Sequence, residues 1–250
     1  RRTGSLTAGV GVTREHARLR EVDWSLWTQR SAEVGLTLPV DSVRAFDATA
    51  PGAYAYVQGR WTSGGLVANA GLRAEYWTPG PQATSQTLPG EDRGVWTFDP
   101  RVGLAYPLTL RDVFSFAYTR LHQAPSRDRL YDRRVAINDR QPLGNPALRP
   151  AELISYEAAV KHVFGPTWAL QGAVFYRDLY GLVGAVDLAI PDGPINLQYT
   201  DSDHARAVGF EWSVMHASER ARFEAHYTWM EASGNESRPG GDPYGLVRKA

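Results

Sequence analysis

Residues 65–77 read Gly-Leu-Val-Ala-Asn-Ala-Gly-Leu-Arg-Ala-Glu-Tyr-Trp, and sorting them by parity separates two surfaces. Leu66, Ala68, Ala70, Leu72, Ala74 and Tyr76 fall on one side; Val67, Asn69, Gly71, Arg73 and Glu75 fall on the other. On a helix these alternating residues would scatter around the cylinder, whereas a pleated strand sends them to opposite faces. The same alternation governs 112–120 (Phe114, Phe116 and Tyr118 against Ser115, Ala117 and Thr119), 206–217 (Val208, Phe210, Trp212 and Val214 against Gly209, Glu211 and Ser213) and 220–232. Weaker versions at 5–14, 53–62, 97–106, 154–164 and 167–178 bring the predicted strands to nine.

The predicted connections alternate in length. Short ones lie at 63–64, 107–110, 165–166 and 217–219, and long ones cover 15–52, 78–96, 123–153 and 179–203. Loops beyond about 12 to 15 residues are uncommon in compact domains, but a membrane barrel has short turns at one end and long loops at the other. The apolar faces run to Ala, Leu, Val and aromatics, with Tyr76, Tyr106, Tyr118, Tyr176, Tyr227 and Trp229 near strand ends, as an interfacial girdle requires. A sandwich core favours Val, Ile and Leu, with Lys and Glu on the wet face. The predicted class is all-β: an antiparallel, up-and-down transmembrane β-barrel in part. A soluble β-sandwich binding module remains the alternative.

Composition agrees with both. The 250 residues carry 27 basic and 27 acidic side chains, a net charge of zero, so no global electrostatic footprint for nucleic acid exists. Eight Trp, twelve Tyr and eight Phe make the chain too aromatic for disorder. The absence of Cys removes disulfide scaffolds, thiol catalysis and iron–sulfur clusters. A mean hydropathy of −0.37, with no apolar run near the roughly 18 residues of a membrane helix, excludes a helical membrane protein. It does not exclude a barrel, whose lipid-facing and inward residues average out.

Four stretches then carry a family resemblance: Tyr54-Ala-Tyr-Val-Gln-Gly-Arg-Trp61 with Asn69-Ala-Gly-Leu-Arg73; Asp99-Pro-Arg-Val-Gly-Leu-Ala-Tyr106 with Phe116-Ala-Tyr-Thr-Arg120 and Gln123-Ala-Pro-Ser126; Asn145-Pro-Ala-Leu-Arg-Pro150 with Ser155-Tyr-Glu157; and Ala205-Arg-Ala-Val-Gly-Phe-Glu211. In this order and spacing, from about Ser5 to Gly234, the chain resembles the C-terminal half of the barrel of TonB-dependent outer-membrane receptors. The resemblance implies a barrel of about 22 strands with a plugged lumen, embedded in outer-membrane lipid and coupled to the TonB–ExbB–ExbD complex through an N-terminal region. It implies uptake of a scarce extracellular solute: a metal chelate such as a siderophore, cobalamin, a glycan or a peptide. A passive or structural barrel without energy coupling is the alternative function. The chain opens on Arg1-Arg2 and ends Val247-Arg-Lys-Ala250, and nine is an odd strand count, so residues 1–250 are expected to be a partial barrel without the plug domain or the closing strand.

No catalytic motif is present: there is no G-x-S-x-G, P-loop, H-E-x-x-H or G-x-G-x-x-G. The six His are dispersed singly, and Asp201-Ser-Asp203 lacks the rest of a calcium loop, reading as a strand-entry turn. No enzyme activity, metal or cofactor is expected. The candidate substrate-binding residues are Arg127, Arg129, Tyr131, Arg133 and Arg134 of the 123–153 connection, an Arg-rich run suited to an anionic ligand, together with the inward Arg73 and Glu75. The competing reading makes that run a solvated loop self-paired by Asp128, Asp132 and Asp139, and makes the inward charges mutual partners across strands. Leu72, Phe116, Trp212 and Trp229 should share one face, and Arg73, Glu211 and Glu224 the other.

Overall fold

A computed structural model describes residues 2–22, 43–80, 94–131, 144–188, 196–235 and 248–249. Nine long strands follow one another: β1 (Thr3–Val22), β2 (Val43–Ser63), β3 (Leu66–Trp77), β4 (Val95–Pro107), β5 (Asp112–Gln123), β6 (Ala151–Val163), β7 (Trp168–Leu188), β8 (Asn196–Ala217) and β9 (Arg222–Gly234). A two-residue strand, β10 (Arg248–Lys249), pairs with the end of β9, and one short helix, α1 (Arg127–Tyr131), lies between β5 and β6. Each strand pairs antiparallel with its neighbours in chain order, forming a single up-and-down sheet. The sheet is not closed: β1 pairs only with β2.

Register settles the two faces. Leu72 sits opposite Val57 and Pro100, Leu104 opposite Phe116, Phe116 opposite Ala158, Val174 opposite Phe210, and Phe210 opposite Trp229. Directly paired residues project to the same side and parity alternates along each strand, so Leu72, Phe116, Trp212 and Trp229 share one face. Arg73 opposite Asp99, Arg101 opposite Thr119, Ser155 opposite Arg177 and Glu211 opposite Thr228 trace the other, which includes Glu224. The apolar face is open: Val10 is 84% exposed, Val12 87% and Trp212 47%. Aromatic rows mark its long-loop edge, with Tyr118 to Tyr156 at 5.1 Å, Tyr156 to Tyr176 at 6.4 Å and Tyr76 to Trp96 at 5.4 Å between ring centroids.

The buried side chains lie on the polar face instead. Phe175 is 5% exposed and sits opposite Gly209; a Cβ on that glycine would collide with the Trp229 carbonyl and come within 2.6 Å of the Phe175 ring. The missing side chain leaves room for the ring against the β8 backbone. At the other end of the strands, Gly64 (φ 59°) and Gly65 (φ 86°) join β2 to β3 in a two-residue turn whose positive φ angles match hairpin twist.

Three expectations need correction. The described parts of the connections expected at 15–52 and 179–203 are strand, since β1 reaches Val22, β2 starts at Val43, β7 reaches Leu188 and β8 starts at Asn196. The cause is a reversal of polarity along the same strand. Beyond Val12, β1 turns Arg14, His16, Arg18 and Arg20 to the formerly apolar side and Ala17 and Leu19 to the formerly polar one, so the alternation continues with its sign inverted. Likewise Arg120, Ile154, Asp178 and Arg206 form the row beyond the tyrosines, while Leu121, Leu153 and Leu179 line the opposite face. Second, 201–203 is not a strand-entry turn but lies inside β8, beside the register shift between Leu179 and Gly184, where Gly181 has φ 65°. Third, the 123–153 connection contains α1.

Because the site at Gly209 is closed by backbone as well as by a ring, Gly209→Val is expected to destabilise the intact protein by about 1–3 kcal/mol or more, the range for overpacking a filled position. Denaturant midpoints compared with those of Ser213→Val, two pairs along the same face, check this; equal midpoints would contradict the packing described.

Candidate functional site

Above the polarity reversal, the inward side of the sheet has a small core of its own. Leu130 and Tyr131 of α1 and Leu148 of the same connection are at most 4% exposed and pack with Ala48, with Phe46, Trp77, Val183 and Tyr199 around them. The connection between β5 and β6 therefore folds back over the sheet and touches both the β2–β3 side and the β7–β8 side. Its described parts are tied by hydrogen bonds: Arg129 N–H donates to the Ser126 carbonyl (3.1 Å), Asn145 N–H to the Arg129 carbonyl (2.8 Å), and the Asn145 side-chain amide to the Tyr199 carbonyl (2.8 Å).

Arg127 is the anchor. Its side chain is 9% exposed, forms a 2.6 Å ion pair with Glu15 of β1, donates to the carbonyls of Thr78 (3.1 Å) and Pro79 (3.3 Å), and lies 5.5 Å from the Trp77 ring. Glu15 stands three residues beyond Val12, outside the apolar band, and the guanidinium donating to it holds its carboxyl below the usual carboxylate range. A carboxyl depressed in the folded state stabilises above its unfolded pKa and loses that contribution as pH falls through the lower folded value. Tyr131 is equally committed: its hydroxyl donates to the Pro79 carbonyl and its ring lies 5.5 Å from Phe46.

The candidate residues thus separate. Arg127 and Tyr131 are engaged in holding the connection down. Arg129 is exposed on the outer side of α1, with no side-chain partner among the described residues. Arg133 and Arg134 lie outside the described residues, as do Asp132 and Asp139. Arg73 and Glu75 stand on the polar face below Trp77 and are paired at 2.9 Å, with the Arg73 guanidinium 4.1 Å from the Tyr54 ring. They pair along one strand rather than across two, as do Glu224 and His226 at 3.2 Å.

Other contacts were not visible in the sequence. Glu15 gives no local sign of meeting a residue 112 positions away. His122, one of the six scattered histidines, bridges Asp99 of β4 (2.6 Å) and approaches Glu152 of β6 (3.7 Å), which Arg120 also contacts at 2.6 Å. This braces the sheet where the β4–β5 ladder stops, at Arg101 opposite Thr119. Among the described residues, no group of three or more His, Asp or Glu could hold a metal ion.

Comparison with known proteins places this arrangement. The family model described as TonB dependent receptor-like, beta-barrel, matches residues 2–249. Among solved structures, the chain is similar to the FrpB iron transporter from Neisseria meningitidis (F3-3 variant), with a TM-score of 0.60 at 11% identity over 92% of this chain and 33% of that one. It is similar to the copper transporter OprC, with a TM-score of 0.61 at 13% identity over 92% and 38%. It is also similar to the ferric-catecholate import receptor Fiu from E. coli K12, with a TM-score of 0.54 at 17% identity over 95% and 36%. No curated protein sequence matches the chain. The chain spans about a third of the length of these structures. With the family model covering nearly every residue, and an open antiparallel sheet whose exterior is apolar and whose long-loop end carries an inward-folded connection, the chain belongs to the TonB-dependent receptor β-barrel family.

Proposed function

We propose that this chain forms part of the wall of an outer-membrane transporter that takes up a scarce solute, with a metal chelate such as a siderophore as the leading class, and that uptake is energised through TonB–ExbB–ExbD. The observation that carries the reading is the apolar band and its edges. On β4 the outward residues run from Trp96 to Tyr106, ten residue steps. At about 3.3 Å per residue and a strand tilt of about 40°, that is roughly 25 Å, the height of an outer-membrane apolar belt. Beyond it most outward positions turn charged, including Arg14, Arg18, Arg120, Asp178 and Arg206, as a wall leaving lipid for water must.

In this reading the polar face is the lumen and the long-loop end is the extracellular mouth. Further staves complete the wall in the whole receptor, since β1 pairs with β2 on one edge only among the described residues, and a plug domain fills the lumen in this reading. The β5–β6 connection gives the mouth a fixed platform: Arg127 and Tyr131 position it, and Arg129, together with Arg133 and Arg134, offers bidentate donors to an anionic chelate. Arg73 and Glu75 lie deeper on the same wall. The named functions of FrpB and OprC, iron and copper transport, support a metal cargo over the other solutes, and that of Fiu, ferric-catecholate import, supports a chelate. No catalytic role is assigned.

Two outcomes follow. Phe210→Arg, on the mid-band outward face, is expected to destabilise the intact receptor in phospholipid vesicles by about 2–4 kcal/mol, against little change for the inward Glu211→Gln. Comparable effects for the two would argue against lipid on that face. In whole cells, deleting the receptor gene is expected to abolish uptake of at least one labelled ferric or copper chelate, and a protonophore should do the same. Uptake that survives the protonophore would favour a passive pore. Arg129→Gln should weaken binding of that chelate by roughly 10-fold, about the 1–3 kcal/mol of one charge-assisted contact, without altering protection of α1 amides, while Arg127→Met should expose those amides to exchange.

A further inference from the structure

On the lumen wall nearer the short turns, a cavity of about 500 Å³ opens across β1 to β4. Two arginines line it, Arg60 of β2 and Arg101 of β4, with Gln58 and Asn69 beside them, and no acidic residue contributes to its lining. Arg60 pairs in register with Asn69, and Arg101 with Gly71, so the two cations flank β3 from either side. Neighbouring strands lie about 4.8 Å apart, which puts their backbones about 10 Å apart, a gap that two long side chains close over one small anion. Gly71 keeps the ground between them clear: a Cβ there would sit 3.2 Å from the Gln58 Cβ.

Three other arginines on this side are neutralised or covered, while Arg222 of β9 is exposed at a distance from this cavity. Arg73, two residues above Gly71, is paired with Glu75 at 2.9 Å; Arg127 is paired with Glu15 at 2.6 Å; Arg177 lies 4.3 Å over the Phe175 ring. Neither Arg60 nor Arg101 has an acidic side chain within ion-pair distance among the described residues. Two like charges held over one cavity repel, and a shared oxyanion replaces that repulsion with charge-assisted hydrogen bonds from up to ten guanidinium N–H groups, five on each arginine.

We propose that Arg60 and Arg101 form an oxyanion cradle in the lumen wall, taking a carboxylate or phosphate-like group. The inference rests on reading this face as a lumen, and it adds a second contact, below the mouth, for an anionic group. The group has two sources, a free anion in transit or the carboxylates of polypeptide seated in the lumen, and the reactivity of the arginines separates them.

The test maps phenylglyoxal modification of each arginine by mass spectrometry in the intact receptor, with and without inorganic phosphate, using Arg111 on the exposed Leu108–Asp112 turn as the internal reference. For a free-anion site, Arg60 and Arg101 react without phosphate and slow roughly 10-fold at a phosphate concentration about ten times the Kd, as one-site occupancy requires, while Arg111 is unchanged. Arg60→Gln should then remove most of the phosphate protection at Arg101. For carboxylates already in place, both arginines react at least several-fold more slowly than Arg111 before any phosphate is added, and Arg60→Gln speeds Arg101. Rates matching Arg111 in both conditions, or protection of Arg101 that survives Arg60→Gln, would overturn the cradle. Because no readout involves uptake, loss of the cradle and loss of the transport reading are distinguishable results.

Discussion

Antiparallel pairing of each strand with its neighbours in chain order is the constraint on which the rest depends. From β1 to β7 no pairing slips internally, although the β4–β5 ladder stops at Arg101 opposite Thr119, and among the described residues the register shifts lie high on the β7–β8 pair. In hydrocarbon no water is available to the backbone, so the ladder must satisfy every N–H and C=O within the band. The same ladder fixes parity. A slip of one residue anywhere along it would send Leu72, Phe116 and Trp229 into the lumen and Arg73 and Glu211 into the lipid. Backbone satisfaction and side-chain sorting are therefore one requirement, and the bulge near Gly181 sits where it is tolerable, beyond the tyrosine row.

The polarity reversal beyond that row gives the wall two kinds of interior. Within the band the lumen face is polar and the sheet has little core beyond rings lying on glycine backbone, as Phe175 lies on Gly209. Beyond it water surrounds the outer side, and hydrophobic burial favours the inner side, as in an ordinary soluble domain. The cluster of Leu130, Tyr131, Leu148 and Phe46 forms there because Leu and Ala positions now point inward. That core explains how α1 and Leu148, outside the regular sheet, are held against it, and why Arg127 and Tyr131 are tied to β1 and to the end of β3.

How much of this was legible in the sequence follows from the same physics. Parity is a local property, so the nine strands and the two faces could be read from residues 65–77 and their counterparts. The strand ends could not, because Arg14 to Arg20 and Ala17 to Leu19 look like loop when the apolar side is assumed constant. The candidate site was legible only as composition: an Arg-rich run was visible, but Glu15, 112 residues before Arg127, and the Thr78 and Pro79 carbonyls were not. Sequence therefore could not divide the run into an anchor, Arg127, and an exposed cation, Arg129.

That division bears on how charge in such a wall should be interpreted. A polar lumen face must carry charged side chains whatever the protein does, so the presence of Arg or Glu there says little. Whether the charge is spent inside the wall says more. Arg73 faces Glu75, Arg127 faces Glu15, and Asp178 meets Arg206 at 2.8 Å outside; each pair closes locally and needs nothing further. Arg60 and Arg101 stand on adjoining positions of the same register, around one cavity whose lining contains no carboxylate. Both arginines are exposed, and a shared oxyanion replaces their mutual repulsion with charge-assisted hydrogen bonds, so the unspent pair marks a place on this wall where an outside anion gains.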